Sequence, residues 1–355
     1  MLLYYHTASP TYVRCDKFVQ EFQNHQIDYT FLGAQRKGVQ VWESDANCRK
    51  SKFRFGHGFL SILPLISYIL EGVILLRRTR PDKILITNEE LYLIPLLARY
   101  KGIVILDAID ALDIRTNNTP GIIHRFFVAF TLFVRRRVSF IIEVEEFRSE
   151  RLPEFKNKTF VLRNIPEDID FPQIIEPRDK AEKYIFAWGS LNEDVNGVEK
   201  LIAAVDFMNK TRKDKIKILI AGVIRGANLL QMISERENIL TLGFIERQEC
   251  FSLLDNCLAA FAFYKPINQN FILAAPNKVY EALALGQFLL INSECKISSM
   301  CVEAGYASKI KFDDVNGISS AIEGILRRLE SGEPRPKPVQ FDSRQEWVPV
   351  LEILS

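Results

Sequence analysis

Short apolar runs alternate with longer helical patterns along this chain, in two series separated by a break, and that alternation constrains the fold most. It is the signature of βαβ units, whose strands run parallel with helices covering both sheet faces. In the first series, apolar runs predict strands at Leu2–Tyr5, Asp28–Leu32, Lys83–Ile86, Gly102–Leu106, Phe140–Val144 and Thr159–Leu162. Helical periodicity falls at Tyr12–Asn24, Phe59–Arg77, Leu91–Arg99 and Ile122–Arg137. From Glu167 to Lys183 the chain is acidic, contains proline and has no period, which reads as a linker. The second series opens with a strand at Tyr184–Ala187, a turn at Trp188–Leu191, a helix at Val198–Asn209 and a strand at Ile216–Ala221 closed by Gly222. Strands follow at Ile239–Leu242, Ala259–Phe263 and Phe288–Ile291, with helices at Arg247–Asp255, Pro276–Leu285, Val315–Leu329 and Ser343–Leu354. The expected class is α/β, with two Rossmann-like domains: 1–166, a linker 167–183, 184–335, and a further C-terminal helix in 336–355.

A chain of 355 residues has room for two cores, and 48% hydrophobic with 25% charged residues is a globular balance. The net charge of +2 hides an asymmetry. Met1–Ile142 carries 19 Lys and Arg against 12 Asp and Glu, and the remainder 27 against 32. A basic half with apolar helices fits peripheral contact with anionic lipid; the alternative is that the charges only solubilise those helices. Phe59–Leu76 is nearly long enough to span a bilayer, but it contains Pro64, Glu71 and Gly72 and runs straight into a strand. It reads as a helix packed in an α/β domain that skims a membrane. In Ile122–Val138, basic His124, Arg125 and Arg135–Arg137 surround Phe126, Phe127, Phe130 and Phe133, which fits an interfacial helix or an ordinary amphipathic one.

Six scattered cysteines without a Cys-x-x-Cys pair indicate neither a zinc site nor a disulfide framework. Reduced thiols and the short apolar start Met1–His6 place the expected location in the cytoplasm, at the inner face of the membrane. A Gly-x-Gly-x-x-Gly fingerprint is absent, which counts against a dehydrogenase. No zinc spacing, recognition helix or aromatic-interleaved basic stripe suggests nucleic acid.

Ala275-Pro276-Asn277-Lys278-Val279-Tyr280-Glu281 through Gly286 carries the most chemistry. Pro276 suits the first turn of a helix and Gly286 its stop. The N–H groups at that helix start suit a phosphate, and Lys278 adds a cation. Glu281, one turn on, offers a carboxylate to vicinal hydroxyls such as those of a ribose, so the three together suggest a nucleoside diphosphate. The alternative is a solvent-facing Lys–Glu pair on a surface helix.

The segment resembles the donor-site signature of family-4-like glycosyltransferases of the GT-B fold, retaining enzymes common in bacterial surface-polysaccharide synthesis. Phe186-Ala187-Trp188-Gly189-Ser190, Asn196–Ile202, Ile218–Gly222 and Leu242–Ile245 resemble the strand ends of that family's donor domain, and Leu162–Pro166 its exit into the linker. The resemblance implies two domains facing each other across a cleft, a C-terminal crossover helix in 336–355 returning to the N-terminal domain, a UDP- or GDP-linked sugar donor and a lipid-linked or oligosaccharide acceptor. It implies no cofactor and no metal. Gly189, Ser190, Asn277 and Lys278 would meet the diphosphate, and Glu281 the ribose. Two departures stand out: the family often has a basic residue after the first Gly and a Lys before the second, here Ser190 and Asn196, and Glu-x7-Glu is broken by Leu273.

Arg225, after Gly222 at a strand end, would replace the missing cation, or else lie in a solvated loop. Tyr264, Lys265 and Asn270, in the loop before the signature helix, are candidates for the sugar. On the acceptor side, Asp107 and Asp110 follow a strand and are candidates for the group that takes or orients the acceptor's proton, unless Asp107 only caps a turn. His6, at the end of the first strand, is read as structural. The rivals are a sugar-nucleotide epimerase, which would need more acids and histidines, and a catalytically silent partner that docks on a membrane or an enzyme.

Overall fold

The apolar runs of the first series become strands of one parallel sheet. These are β1 (Leu2–Tyr5), β2 (Tyr29–Arg36), β3 (Cys48–Phe55), β4 (Lys83–Thr87), β5 (Ile103–Asp107), β6 (Phe140–Glu143) and β7 (Thr159–Val161), in the order β3-β2-β1-β4-β5-β6-β7. The computed structural model describes residues 1–7, 12–36, 46–55, 62–166 and 183–355. The linker expected at 167–183 thus lies, apart from Lys183, outside the described residues.

Strand β3 was not expected, because Cys-Arg-Lys-Ser-Lys-Phe-Arg-Phe lacks an apolar run. It sits at the sheet's edge, where charged residues such as Arg49 and Lys50 guard against unwanted pairing. The helices of this part are α1 (Val13–Asn24), α2 (Ile62–Thr79), α3 (Leu93–Ala98), α4 (Leu112–Arg115), α5 (Gly121–Arg137) and α6 (Glu146–Ser149). Alternate strand residues feed two cores: Leu3, Tyr5, Ile84 and Ile86 pack with Tyr68, Val73 and Leu76 of α2, while Leu2, Tyr4 and Leu85 pack with Phe18 and Phe22 of α1. Among the described residues no helix is long and apolar enough to cross a membrane.

The second series forms another parallel sheet, β10-β9-β8-β11-β12, from β8 (Tyr184–Asn192), β9 (Lys217–Arg225), β10 (Ile239–Gly243), β11 (Ala259–Ala262) and β12 (Leu289–Ile291). Its helices are α7 (Val198–Asn209), α8 (Ala227–Ser234), α9 (Arg247–Asn256), α10 (Gln269–Ile272), α11 (Asn277–Ala284), α12 (Ser298–Glu303) and α13 (Val315–Glu330). Ile185, Ala187, Ile218 and Phe261 pack with Leu201 and Val205 of α7 and with Ile318 and Ile322 of α13.

Trp188–Leu191 is not a turn. β8 continues to Asn192 and β9 runs past Gly222 to Arg225, with Gly189 paired to Gly222. Both glycines have positive φ, +91° and +104°. A Cβ on Gly222 would lie 2.2 Å from the Gly189 carbonyl oxygen. Glycines that read as stops in sequence here let two strands bend together and stay paired. We expect Gly222→Ala to destabilise the protein by roughly 1–3 kcal/mol, measured by urea unfolding.

The last helix, α14 (Ser343–Leu354), returns to the first sheet, where Trp347, Val350, Ile353 and Leu354 join the core of Phe18 and Phe22. Burying side chains of this kind is worth about 1.5–3 kcal/mol each, enough to hold a three-turn helix. The chain therefore divides into one unit of Met1–Arg163 with Arg344–Ser355 and another of Asn164–Ser343. Residues 164–166 and 336–343 group with the second unit. There the Val339 N–H donates to the Leu283 carbonyl at 2.9 Å, which draws the Pro-rich stretch onto α11.

The order of strands reverses between β1 and β4 in one sheet and between β8 and β11 in the other. Open α/β sheets bind ligands beyond the strand C-termini at such points.

Candidate functional site

In the second unit, chemistry gathers around the β8–β11 reversal. The end of β8 supplies Trp188, Gly189 and Ser190. Helix α11, which follows β11 after a loop, supplies Asn277, Lys278 and Glu281, and α9, which follows β10, supplies Arg247 and Cys250. Pro276 is the extended N-cap of α11 (φ −77°, ψ 142°), one position earlier than expected, and no side chain caps the helix. The Asn277 and Lys278 N–H groups accordingly have no partner among the described residues. Helix α8 differs: its first turn donates to the Glu193 carboxylate from Asn228 N at 3.2 Å and Leu229 N at 3.4 Å.

The Lys278 side chain passes over Gly189, where an added Cβ would come within 3.3 Å of its Cε. Its ammonium lies 5.7 Å from the Trp188 ring centroid, and that indole stacks on Phe186 at 5.0 Å. Glu281 is buried. Its Oε2 accepts from Trp188 Nε1 at 3.1 Å, and its Oε1 lies 3.9 Å from Arg247 Nη2. Among the described residues no carboxylate comes within ion-pair distance of the Lys278 ammonium. Burial lowers the pKa of Lys278 to about 8, with the charge of Glu281 working the other way. Burial also pushes the Cys250 thiol up to about 12, so it stays protonated and unreactive at neutral pH. The cluster thus sets a half-buried cation, without a carboxylate in ion-pair distance among the described residues, beside an uncapped helix N-terminus, an environment whose electrostatics favour negative charge.

Arg225, at the end of β9, donates to Ser190 Oγ at 2.7 Å and approaches Asn192 Oδ1 at 3.4 Å. Its guanidinium thus stands beside the position that lacks the family's cation. Asn196 has a structural part: its Oδ1 accepts from Asn192 N at 2.8 Å, tying down the turn after β8. Burial raises the Tyr264 hydroxyl pKa, with Cys295 and then Glu281 adding to the rise, and its ring stacks on Phe271 at 6.3 Å. Lys265 is held through its backbone N–H, 2.8 Å from the Val195 carbonyl, and Asn270 lies half-buried on α10.

Asp107 and Asp110 belong to the first unit, where the structure separates their roles. Asp107 is fully buried and accepts from Arg14 at 2.6 Å (Nη2) and 2.9 Å (Nε). Burial pushes its carboxyl pKa up, and the guanidinium opposes that shift. Both carboxylate oxygens are engaged, because a carboxylate this deep needs an internal counter-charge, so the geometry corrects the expectation of Asp107 as a base. Asp110 is half-buried and makes no ion pair among the described residues; its backbone N–H donates to Asn88 Oδ1 at 2.9 Å. His6 is buried in the ring cluster around Tyr4.

Sequence reasoning assigned no role to Arg247 or Trp188. Arg247 opens α9 just beyond the end of β10, so the strand-end rule applied to Arg225 would have found it. Trp188 was hidden by the turn assignment.

No family model matches the chain, and no curated protein matches it in sequence. Solved structures do match in fold. WaaG, a glycosyltransferase involved in lipopolysaccharide biosynthesis, is 11% identical, with 100% of both chains covered and a TM-score of 0.70. Sucrose-phosphate synthase from Thermosynechococcus elongatus is 12% identical over 99% of this chain and 96% of that one, at 0.69. HepE from Anabaena, solved in complex with UDP and glucose, is 12% identical over 99% and 98%, at 0.67. UDP-N-acetylglucosamine 2-epimerases also match. The fold is therefore that of the GT-B glycosyltransferases, α/β with two parallel sheets.

Proposed function

We propose that the second unit binds a nucleoside-diphosphate sugar, UDP- or GDP-linked, and that the protein transfers the sugar to a lipid-linked or oligosaccharide acceptor in polysaccharide synthesis, with retention of configuration. The observation that carries this reading is the Lys278 ammonium, with no carboxylate in ion-pair distance among the described residues, at the uncapped start of α11, three residues before Glu281. As the glycosidic bond breaks, negative charge grows on the departing diphosphate. Lys278, the N–H groups of Asn277 and Lys278, and Arg225 beside Ser190 would meet that charge without reorganising. Glu281, held by Trp188 and Arg247, would accept from the ribose hydroxyls. Tyr264, Lys265 and Asn270 remain candidates for the sugar. Asp110 would orient the acceptor hydroxyl in place of Asp107.

This chemistry needs no cofactor and no metal, because protein cations supply the charge. Peripheral contact of the basic N-terminal unit with the cytoplasmic face of the membrane would bring a lipid-linked acceptor within reach. The epimerase alternative gains little from the residues: among the described residues, the Lys278 cluster holds one carboxylate and no histidine.

A melting series with UDP, GDP, CDP and ADP tests the proposal. A diphosphate at about 100 times its dissociation constant adds about 2.7 kcal/mol. We expect a shift with one nucleotide, lost in Glu281→Gln. No shift with any of them would favour the silent docking partner.

A further inference from the structure

In the first unit, a cavity of about 650 Å³ opens at the N-terminal ends of β4 and β5, the opposite end of those strands from Asp107. Arg77, Arg80, Arg99 and Lys101 line it, with Asp82 the one carboxylate among its lining residues. Arg80 and Arg99 both adopt left-handed φ, +46° and +56°, positions that normally go to Gly or Asn. Four cations against one carboxylate give this concavity a net positive lining, which favours an anion.

The surface beside this cavity is apolar. Along α2, Leu63, Ile66, Leu70 and Ile74 are 77%, 49%, 53% and 51% exposed. From Ile66 onward they recur every four residues, one stripe on one helix face, and Arg77 and Arg78 follow on the next turn. The stripe extends to α3, where Leu96 and Leu97 are exposed, and Arg77 Nη2 donates to the Leu97 carbonyl at 2.8 Å. A second copy of the chain docked here about a two-fold axis would bring cation rim against cation rim. An anionic bilayer meets both halves of the surface, its acyl boundary taking the stripe and its phosphates the cations.

We propose that this face is a lipid-docking site, with the stripe of α2 and α3 at the acyl boundary and the Arg77–Arg80–Arg99–Lys101 cavity taking the phosphate of an anionic headgroup. The inference rests on the membrane contact proposed above and names its face and its lipid chemistry.

Flotation of the full-length protein with vesicles tests it, using phosphatidylglycerol mixed with phosphatidylcholine against phosphatidylcholine alone. The parent should float with the anionic vesicles only. Removing a cation near the surface should weaken binding about fivefold, so Arg80→Ser with Lys101→Ser should lose about 25-fold. Leu70→Ser with Ile74→Ser should also weaken it. All of these positions are exposed, so the variants should fold, and the diphosphate melting shift should be unchanged in each. Flotation that is equal with both vesicle types, absent with both, or unaffected by the paired Ser variants would overturn the proposal. So would binding of soluble glycerol phosphate by a protein that leaves vesicles unbound. Loss of the diphosphate shift with vesicle binding intact would count against the transferase reading alone.

Discussion

Lys278→Met should lower turnover about 10²–10³-fold, the usual effect of removing one donor aimed at developing charge. The same change should make the unliganded protein more stable. Burial holds the Lys278 pKa near 8, below its ordinary value of 10.5, so the folded state disfavours the charged form. Below pH 8 both folded and unfolded chains carry the proton, and the folded state bears the full penalty. Between about pH 8 and 10.5 the unfolded chain binds more protons than the folded one, so the parent's stability rises with pH through that window. At pH 7 the Met variant should therefore exceed the parent by roughly 1–2 kcal/mol, allowing for partial exposure, and the gap should close by about pH 10.5. Denaturant midpoints at both pH values, set beside initial rates, check both halves of the expectation. A rate loss accompanied by destabilisation would make Lys278 structural.

Arg14→Met should have the largest effect on folding. Its guanidinium holds the fully buried Asp107 and also donates to the Leu162 carbonyl at 3.0 Å, joining α1, β5 and the segment after β7. Removing one partner of such a pair costs about 3–5 kcal/mol, because the other is left charged in the interior. Asp107→Asn should destabilise for the mirror-image reason, and Arg14→Met with Asp107→Leu should recover most of the loss. Urea unfolding of the two single variants and the double one measures the coupling directly. If Asp107 were instead the acceptor's base, Asp107→Asn would keep its stability and lose its rate. Asp110→Asn, which breaks no ion pair, should slow transfer without moving the melting point.

The α/β class with two parallel sheets was legible because parallel strands are buried on both faces and read as continuous apolar runs. Helix α14 and the Gly286 stop, at φ +64°, were legible for similarly local reasons. Strand β3 was not, because edge strands tolerate charge at alternate positions and carry no run. The extension of β8 and β9 was missed for a different reason: Gly189 and Gly222 punctuate a sequence but here bend two strands in register. At the site, Lys278 and Glu281 share a helix turn, so their proximity is written in their spacing. Arg247 and Trp188 reach Glu281 from other elements, and only tertiary structure brings them there. The Asp107 carboxylate looked catalytic at a strand end because nothing local shows that Arg14, far away in sequence, neutralises it.

The central claim is that Lys278 receives a diphosphate, and titration calorimetry near pH 8 tests it most directly. With the free protein's Lys278 half-protonated there, an arriving diphosphate should draw a proton onto the amine. Titrating the diphosphate that shifts the melting point in two buffers of different ionisation enthalpy should show uptake of up to about half a proton per ligand, absent in Lys278→Met and fading toward pH 6. Binding with no proton uptake, or with the same uptake in Lys278→Met, would place the diphosphate elsewhere and contradict the account.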